Sequence, residues 1–188
     1  NKTVLRAMLA AWNANATTAA VTYGAVTTWH VTAVTDFSEL LKDLANFDEE
    51  LSGWNTSSVT DMSSMFYDAK AFHQPLVFDS SKVSDMSSMF RGTDAFNHPL
   101  DFDASSVTTM ESMFWHAIAF NQPLLFDTSR VTTMYGLFCI SFGPFNQPLT
   151  FDTSSVTRID RMFAYADSFN QPVAFDTSRV TTMYGMFW

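Results

Sequence analysis

The chain has 188 residues, of which 47% are hydrophobic, and its formal net charge at pH 7 is −9. This length and apolar content fit one folded domain with a sizeable core and exclude a disordered tail. The acidic balance argues against a nucleic-acid partner, which needs clustered Lys and Arg, and no apolar run approaches the roughly 18 residues that membrane insertion of a helix requires.

The first 28 residues do not repeat, and they predict an N-terminal helical cap over residues 1–28. Thr3 is the expected N-cap residue, and the apolar residues that follow it at helical spacing are Val4, Leu5, Met8, Leu9 and Trp12. We expect this helix to cover the open end of the first repeat. Glycosylation sequons begin at Asn1, Asn15 and Asn55, a number close to chance in a chain rich in Ser and Thr, so the sequence leaves their use open.

From residue 29 onward the chain repeats. One valine of the unit recurs at steps of 24, 24, 24, 25 and 24 residues, at Val59, Val83, Val107, Val131, Val156 and Val180. The extra residue falls between Cys139 and Pro144, next to Gly143, where a Gly-Pro pair indicates a turn. A weaker copy begins at Trp29, so residues 29–188 predict about seven stacked coils, the last of them truncated. We expect either that the molecule continues past Trp188 or that a partner covers that end.

Two spacings alternate within each coil. The apolar residues at 62, 65, 66 and 69 have the spacing of one helical face, which predicts a short helix. Leu76 and Phe78 alternate with Val77, a period of two that predicts a short strand. Residues 59–62 form a second extended candidate. Which of the two carries the continuous sheet stays open. The pattern predicts an α/β repeat solenoid, and stacking would align two phenylalanine ladders: Phe66, Phe90, Phe114, Phe138, Phe163 and Phe187 in one, and Phe72, Phe96, Phe120, Phe145 and Phe169 in the other.

The repeat pattern FNQPLxFDTSSVTxMxxMF, seen at residues 145–163 and 169–187, resembles the BspA-like leucine-rich-repeat surface proteins. It is most similar to the branch whose repeats occur in mycoplasma surface lipoproteins and in unicellular algae. The resemblance covers roughly residues 29–188. It implies a leucine-rich-repeat-like solenoid, an extracellular or cell-surface location, and a role in adhesion or partner recognition. The family supplies no catalytic residues.

Several polar ladders have a structural interpretation beside a chemical one. The aspartates Asp79, Asp103, Asp127, Asp152 and Asp176 could hold Ca²⁺, but each is more readily explained as the first residue of a turn. The amides of Asn97, Asn121, Asn146 and Asn170 are expected to bond the backbone of neighbouring coils. A row of threonines that starts at Thr60 leaves ice binding as a minor alternative. We therefore predict no enzyme, no catalytic residue, no metal site and no cofactor.

The outward positions that vary from coil to coil are the expected binding surface. One such row is Tyr67, Arg91, Trp115, Cys139, Ala164 and Trp188, and another is Val77, Asp101, Leu125, Thr150 and Ala174. Aromatic residues and Arg are enriched at interfaces, so Tyr67, Arg91 and Trp115 are the predicted site for a protein or glycan partner. The alternative is a structural spacer or a subunit of a larger assembly, docked through Phe187 and Trp188 at the uncapped end.

Overall fold

In this computed structural model, which describes residues 1–140 and 143–188, regular helices are confined to the N-terminus. Helix α1 spans Lys2–Ala14, helix α2 spans Ala16–Tyr23, and one 3-10 turn spans Val26–Thr28. The N-cap of α1 is Asn1, whose side-chain oxygen accepts a hydrogen bond of 3.0 Å from the backbone N–H of Val4, so the prediction of Thr3 is wrong. None of the helices formed by these residues has the length and apolar character to cross a membrane.

The predicted α/β leucine-rich-repeat-like solenoid, with a short strand and a short helix in each coil, is wrong. Between residues 29 and 188, the described part of the chain forms turns and single-residue bridges, with neither a helix nor a strand. The reason is visible between Met62 and Met65, where Ser64 has a φ of 55°. Asp68 has a φ of 52°, and left-handed residues four apart interrupt any right-handed helix. The apolar spacing of 62, 65, 66 and 69 is therefore produced by consecutive turns.

Backbone hydrogen bonds within these turns alternate with bonds to the next coil. The N–H of Met65 donates to the carbonyl of Met62 at 3.2 Å and closes a turn. The N–H of Phe66 instead donates to the carbonyl of Met89, one coil further on, at 2.9 Å. Each coil thus satisfies its buried backbone groups partly in its own turns and partly in its neighbour. The same segment of each coil therefore closes its own turns and forms hydrogen bonds to the next coil.

The bridges decide which extended segment joins the coils. They link consecutive coils in parallel through one position, in the order Asp36, Asp61, Asp85, Thr109, Thr133, Arg158 and Thr182. This position lies in the segment equivalent to residues 59–62, and residues 76–78 take part in none of these bridges. The predicted position of the extra residue, between Cys139 and Pro144, includes Ser141 and Phe142, which lie outside the described residues.

The core is a set of stacked phenylalanines, as the repeat predicts. In the ladder that begins at Phe66, ring centroids of neighbouring coils are 5.4 to 5.7 Å apart. In the ladder that begins at Phe72 they are 6.1 to 6.2 Å apart. A third stack, which the sequence did not single out, runs through Phe78, Phe102 and Phe126 at 6.5 and 6.3 Å. Burial of these large rings is the main favourable contribution to folding.

Helix α1 closes the edge of the first coil with cations. In the turns, N–H groups donate forward to the next coil, as Glu39 does to Ser63 and Leu41 to Met65, so the turn carbonyls of the first coil have no preceding coil to bond them. The guanidinium of Arg6 donates to the carbonyls of Leu40 and Lys42, at 3.1 Å each. Lys2 forms an ion pair of 2.8 Å with Asp36. The helix therefore supplies the donors that another coil would have supplied.

Candidate functional site

Three residues predicted as the binding surface are in direct contact. The guanidinium carbon of Arg91 lies 5.3 Å from the ring centroid of Tyr67 and 4.7 Å from that of Trp115. A guanidinium at such distances from an aromatic face is attracted by the ring quadrupole. Because the three residues lie in consecutive coils, Arg91 is held between the two rings.

The repeat explains why these side chains are parallel. Each of the three occupies the same position of its coil, and each donates its backbone N–H to the carbonyl of a serine three residues earlier, at 3.1 Å. Those serines, Ser64, Ser88 and Ser112, all have φ values between 55° and 57°. The same turn is therefore built three times, and it projects Tyr67, Arg91 and Trp115 from equivalent backbone geometry.

The stack extends beyond the predicted residues on both sides. The Nζ atom of Lys42 lies 5.2 Å from the ring centroid of Tyr67. The ring of Tyr135 lies 6.2 Å from that of Trp115, and the Arg158 guanidinium lies 4.2 Å from the Tyr135 ring. We call this set the cation–aromatic row. Its members are Lys42, Tyr67, Arg91, Trp115, Tyr135 and Arg158.

The sequence missed Lys42, Tyr135 and Arg158 for different reasons. Lys42 occupies the position of Tyr67 in the weaker first copy of the repeat, and extending the register to that copy would have found it. Tyr135 and Arg158 lie at two other positions of the repeat. Their side chains reach the row across coils, and only the way in which the coils stack reveals this.

The cations of the cation–aromatic row differ in their pairing with acids. Lys42 forms an ion pair of 2.7 Å with Glu39, and this hydrogen bond raises the pKa of the lysine. Arg158 donates through Nε to the carboxylate of Asp160 at 3.0 Å. Arg91, by contrast, has no carboxylate within ion-pair distance and no side-chain hydrogen bond in the described part of the chain. Its charge is therefore not already paired with an acid of the row, and it is available to an external anion.

The remaining predicted outward positions divide into two groups. Cys139 and Ala164 are buried, with exposures of 2% and 0%, so their assignment to the outward row is wrong: the chain there packs inward. Burial also raises the pKa of the Cys139 thiol to about 11, so the reactive thiolate is disfavoured at neutral pH. The second predicted row is exposed throughout, at Val77, Asp101, Leu125, Thr150 and Ala174.

Phe187 and Trp188 are exposed, at 61% and 54%. The ring of Phe187 stacks on Phe163 at 5.4 Å, and Trp188 makes an edge contact with Tyr184 at 4.9 Å. The docking role of these two residues stays a prediction.

The aspartate and asparagine ladders have the structural roles expected of them, and the threonine row bonds the backbone of the neighbouring coil. Asp79 accepts hydrogen bonds from the hydroxyl of Ser81 at 2.7 Å and from its N–H at 3.1 Å, and these bonds lower the pKa of the aspartate. Asn121 accepts from the N–H of Asn146 in the next coil at 3.0 Å. The Thr132 hydroxyl donates to the carbonyl of Thr108 at 3.1 Å. Over residues 1–140 and 143–188, no three His, Cys, Asp or Glu side chains come together as a metal site would require.

Comparison with known protein families gives one match, which spans nearly the whole chain. The profile of the family described as "Mycoplasma protein of unknown function, DUF285" matches residues 6–125, 77–150 and 125–188. The overlapping segments follow from the repeat, since one profile fits the chain in several registers. Neither the curated proteins nor the solved structures that were compared include a match to this chain.

Proposed function

The chain belongs to the DUF285 family of Mycoplasma proteins of unknown function, and we propose that it is a non-enzymatic interaction module of a surface or secreted protein. It binds another protein or a glycan through the cation–aromatic row. The resemblance of the repeat to BspA-like surface proteins supports the extracellular or cell-surface location. The proposal does not extend to the leucine-rich-repeat fold of that family.

The observation that carries the proposal is the position of Arg91 between Tyr67 and Trp115, with its charge unpaired. Stacking restricts the rotamers of all three side chains before any partner arrives, so little side-chain entropy is lost on binding. Aromatic residues and Arg dominate the energetics of protein interfaces for this reason. A cation that served stability alone would be expected to have a nearby acid, as Lys42 and Arg158 do.

The test is a binding screen followed by substitution. The purified chain is screened against immobilised glycans and short random peptides, and the Kd of the strongest ligand is measured for each variant. We expect Arg91→Gln and Trp115→Ala each to weaken binding at least about ten-fold, since a residue at an interface centre contributes about 2 kcal/mol or more. The matched controls are Arg130→Gln and Val21→Ala, at exposed positions outside both outward rows.

The thermal unfolding midpoint of every variant is measured in parallel. The row is not the binding surface if both row variants keep the affinity of the unsubstituted chain. It is equally not the surface if the two controls lose as much affinity as the row variants do.

A further inference from the structure

We infer that the partner is a protein and that Arg91 binds one carboxylate of an aspartate or glutamate side chain on it. The inference rests on the proposed function, because it identifies the ligand of the same surface. Three features of the row support it: the covered faces of its aromatic rings, the unpaired charge of the Arg91 guanidinium, and the acidic surroundings.

The aromatic faces that a sugar ring would stack on are already covered. Tyr67 has Lys42 over its ring from the preceding coil and Arg91 from the following coil. Trp115 has Arg91 on one side and the backbone of Gly136, from the following coil, against its ring. A pyranose needs an open aromatic face to bury its apolar side. The row offers ring edges, which suit side chains better than sugars.

The guanidinium of Arg91 lies between two rings and has no acid of its own. Its central carbon is 5.3 Å from the ring centroid of Tyr67 and 4.7 Å from that of Trp115, and within the described part of the chain no carboxylate lies at ion-pair distance from it. A planar fork of N–H donors pairs with a carboxylate through two parallel hydrogen bonds. The two rings therefore restrict where the guanidinium can lie, and its N–H donors are not used by an acid of this chain, so a carboxylate on a partner can accept from them.

The surroundings favour a single carboxylate over a polyanion. The chain carries a net charge of −9, so a heavily sulfated glycan or a nucleic acid is repelled at long range. Close to the site, the carboxylate of Asp68 lies against the backbone of Gly92, the residue after Arg91. A second negative group on the ligand would meet this acid. One localised carboxylate on an otherwise uncharged segment avoids the repulsion.

The experiment uses a phage library of short random peptides selected on the full chain. Each enriched peptide is then synthesised with its acidic residue intact, and with Glu→Gln or Asp→Asn in its place. We expect the amide peptide to bind about ten-fold more weakly, which corresponds to about 1.4 kcal/mol. The Arg91→Gln variant should bind the acidic peptide as weakly as the unsubstituted chain binds the amide peptide, and it should no longer distinguish the two. The variant Arg91→Lys keeps the charge but lacks the fork, and we expect an intermediate affinity.

Two further probes separate carboxylates from other anions and from sugars. They are the same peptide with phosphoserine at the acidic position, and a glucuronate-terminated disaccharide. Tighter binding of either than of the carboxylate peptide overturns the inference, as does a selection that enriches no acidic residue. If amide and acid peptides bind equally but Trp115→Ala still abolishes binding, the carboxylate assignment fails and the proposed function stands. If Trp115→Ala and Arg91→Gln both leave binding intact, the proposed function itself fails.

Discussion

The indole of Trp115 lies directly on the backbone of Gly136. A Cβ atom at residue 136 would stand 2.8 Å from two carbons of the indole ring. Gly136 also has a φ of 58°, but Ser88 and Ser112 occupy the same position of other coils with φ values of 55° and 57°. Since a serine is accommodated in that backbone conformation elsewhere, the feature that sets position 136 apart is the ring that covers it.

We therefore predict that Gly136→Ala displaces Trp115 from the cation–aromatic row. The added Cβ meets the indole, and the left-handed conformation costs a non-glycine residue about 1–2 kcal/mol in addition. The free energy of unfolding, measured in urea, should fall by more than this backbone cost alone. Ser88→Ala is the matched control for the conformation, and it should change stability by about 0.5 kcal/mol or less.

A double-mutant cycle isolates the contribution of the ring. In a Trp115→Ala background, Gly136→Ala should lose only the backbone cost, so the two substitutions should be coupled by about 1 kcal/mol. If Gly136→Ala is equally costly with and without the indole, Trp115 is not what requires glycine at that position.

The stacking of the coils was predictable from the sequence, but the local conformation was not. A fixed period of 24 or 25 residues requires equivalent positions to align, and the phenylalanine ladders confirm this. The spacing of Met62, Met65 and Phe66 fits a helix and a chain of turns equally well. The residues that distinguish them, Ser64 and Asp68, are left-handed without being glycine. In that coil nothing in the sequence marks the break, but later coils carry glycine at the same two positions, Gly92 with a φ of 66° and Gly136 with a φ of 58°. These isolated glycines within a helical pattern were the available signal.

The sequence predicted only those residues of the candidate binding surface that share one position of the repeat. Tyr67, Arg91 and Trp115 share one position, so alignment of the repeats brings them together. Tyr135 joins them from another position because its ring reaches across a coil. Cys139 occupies the same repeat position as Trp115 and was predicted to face outward, but it is buried. Equivalent positions share a backbone direction, and local packing decides which of their side chains reach the surface.

Ala104 interrupts a row of buried hydroxyls, and restoring the hydroxyl should stabilise the fold. Ser80 donates to the carbonyl of Asp103 at 3.1 Å, and Thr128 donates to the carbonyl of Asp152 at 2.9 Å. Ala104, 1% exposed, lies between them with no hydroxyl for the carbonyl of Asp127. We expect Ala104→Ser to raise the free energy of unfolding by about 1 kcal/mol, the net value of one such bond.

The reverse substitution at the preceding coil is the control for Ala104. Ser80→Ala removes an existing bond of the same type and should lower the free energy of unfolding by a similar amount. Both are measured by urea denaturation at neutral pH. A destabilised Ala104→Ser variant would show that this coil packs too tightly for the hydroxyl.

Arg6 should be worth more to stability than any exposed cation of the repeats. It bonds the carbonyls of Leu40 and Lys42 on the open edge of the first coil. Replacing it with Met keeps the apolar stem but leaves these carbonyls without their donor, so we expect a loss of about 1–3 kcal/mol in unfolding free energy. Lys70→Met, at an exposed position, is the control. Amide hydrogen exchange should increase most in the first coil, and a uniform increase along the chain would contradict the capping role.

The carboxylate of Asp160 should make stability depend on acid pH. Burial acts to raise the pKa of this 6%-exposed aspartate, but hydrogen bonds from the Thr182 hydroxyl, the Tyr184 N–H and Arg158 outweigh it, and the pKa is lowered. A carboxyl whose pKa is lower in the folded state contributes stability above its unfolded value of about 3.9, and this contribution is lost as the pH falls through the folded value.

The substitution Asp160→Asn removes this contribution. The amide N–H₂ that replaces the second carboxylate oxygen faces the Nε–H of Arg158, so two donors meet and the hydrogen bond is lost. The variant should be less stable than the unsubstituted chain at pH 7, and the two unfolding free energies should converge as the pH falls below about 3.9. Asp101→Asn, an exposed substitution with the same change of charge, is the control, and a difference for Asp160→Asn that stays constant from pH 7 into acid would contradict the assignment.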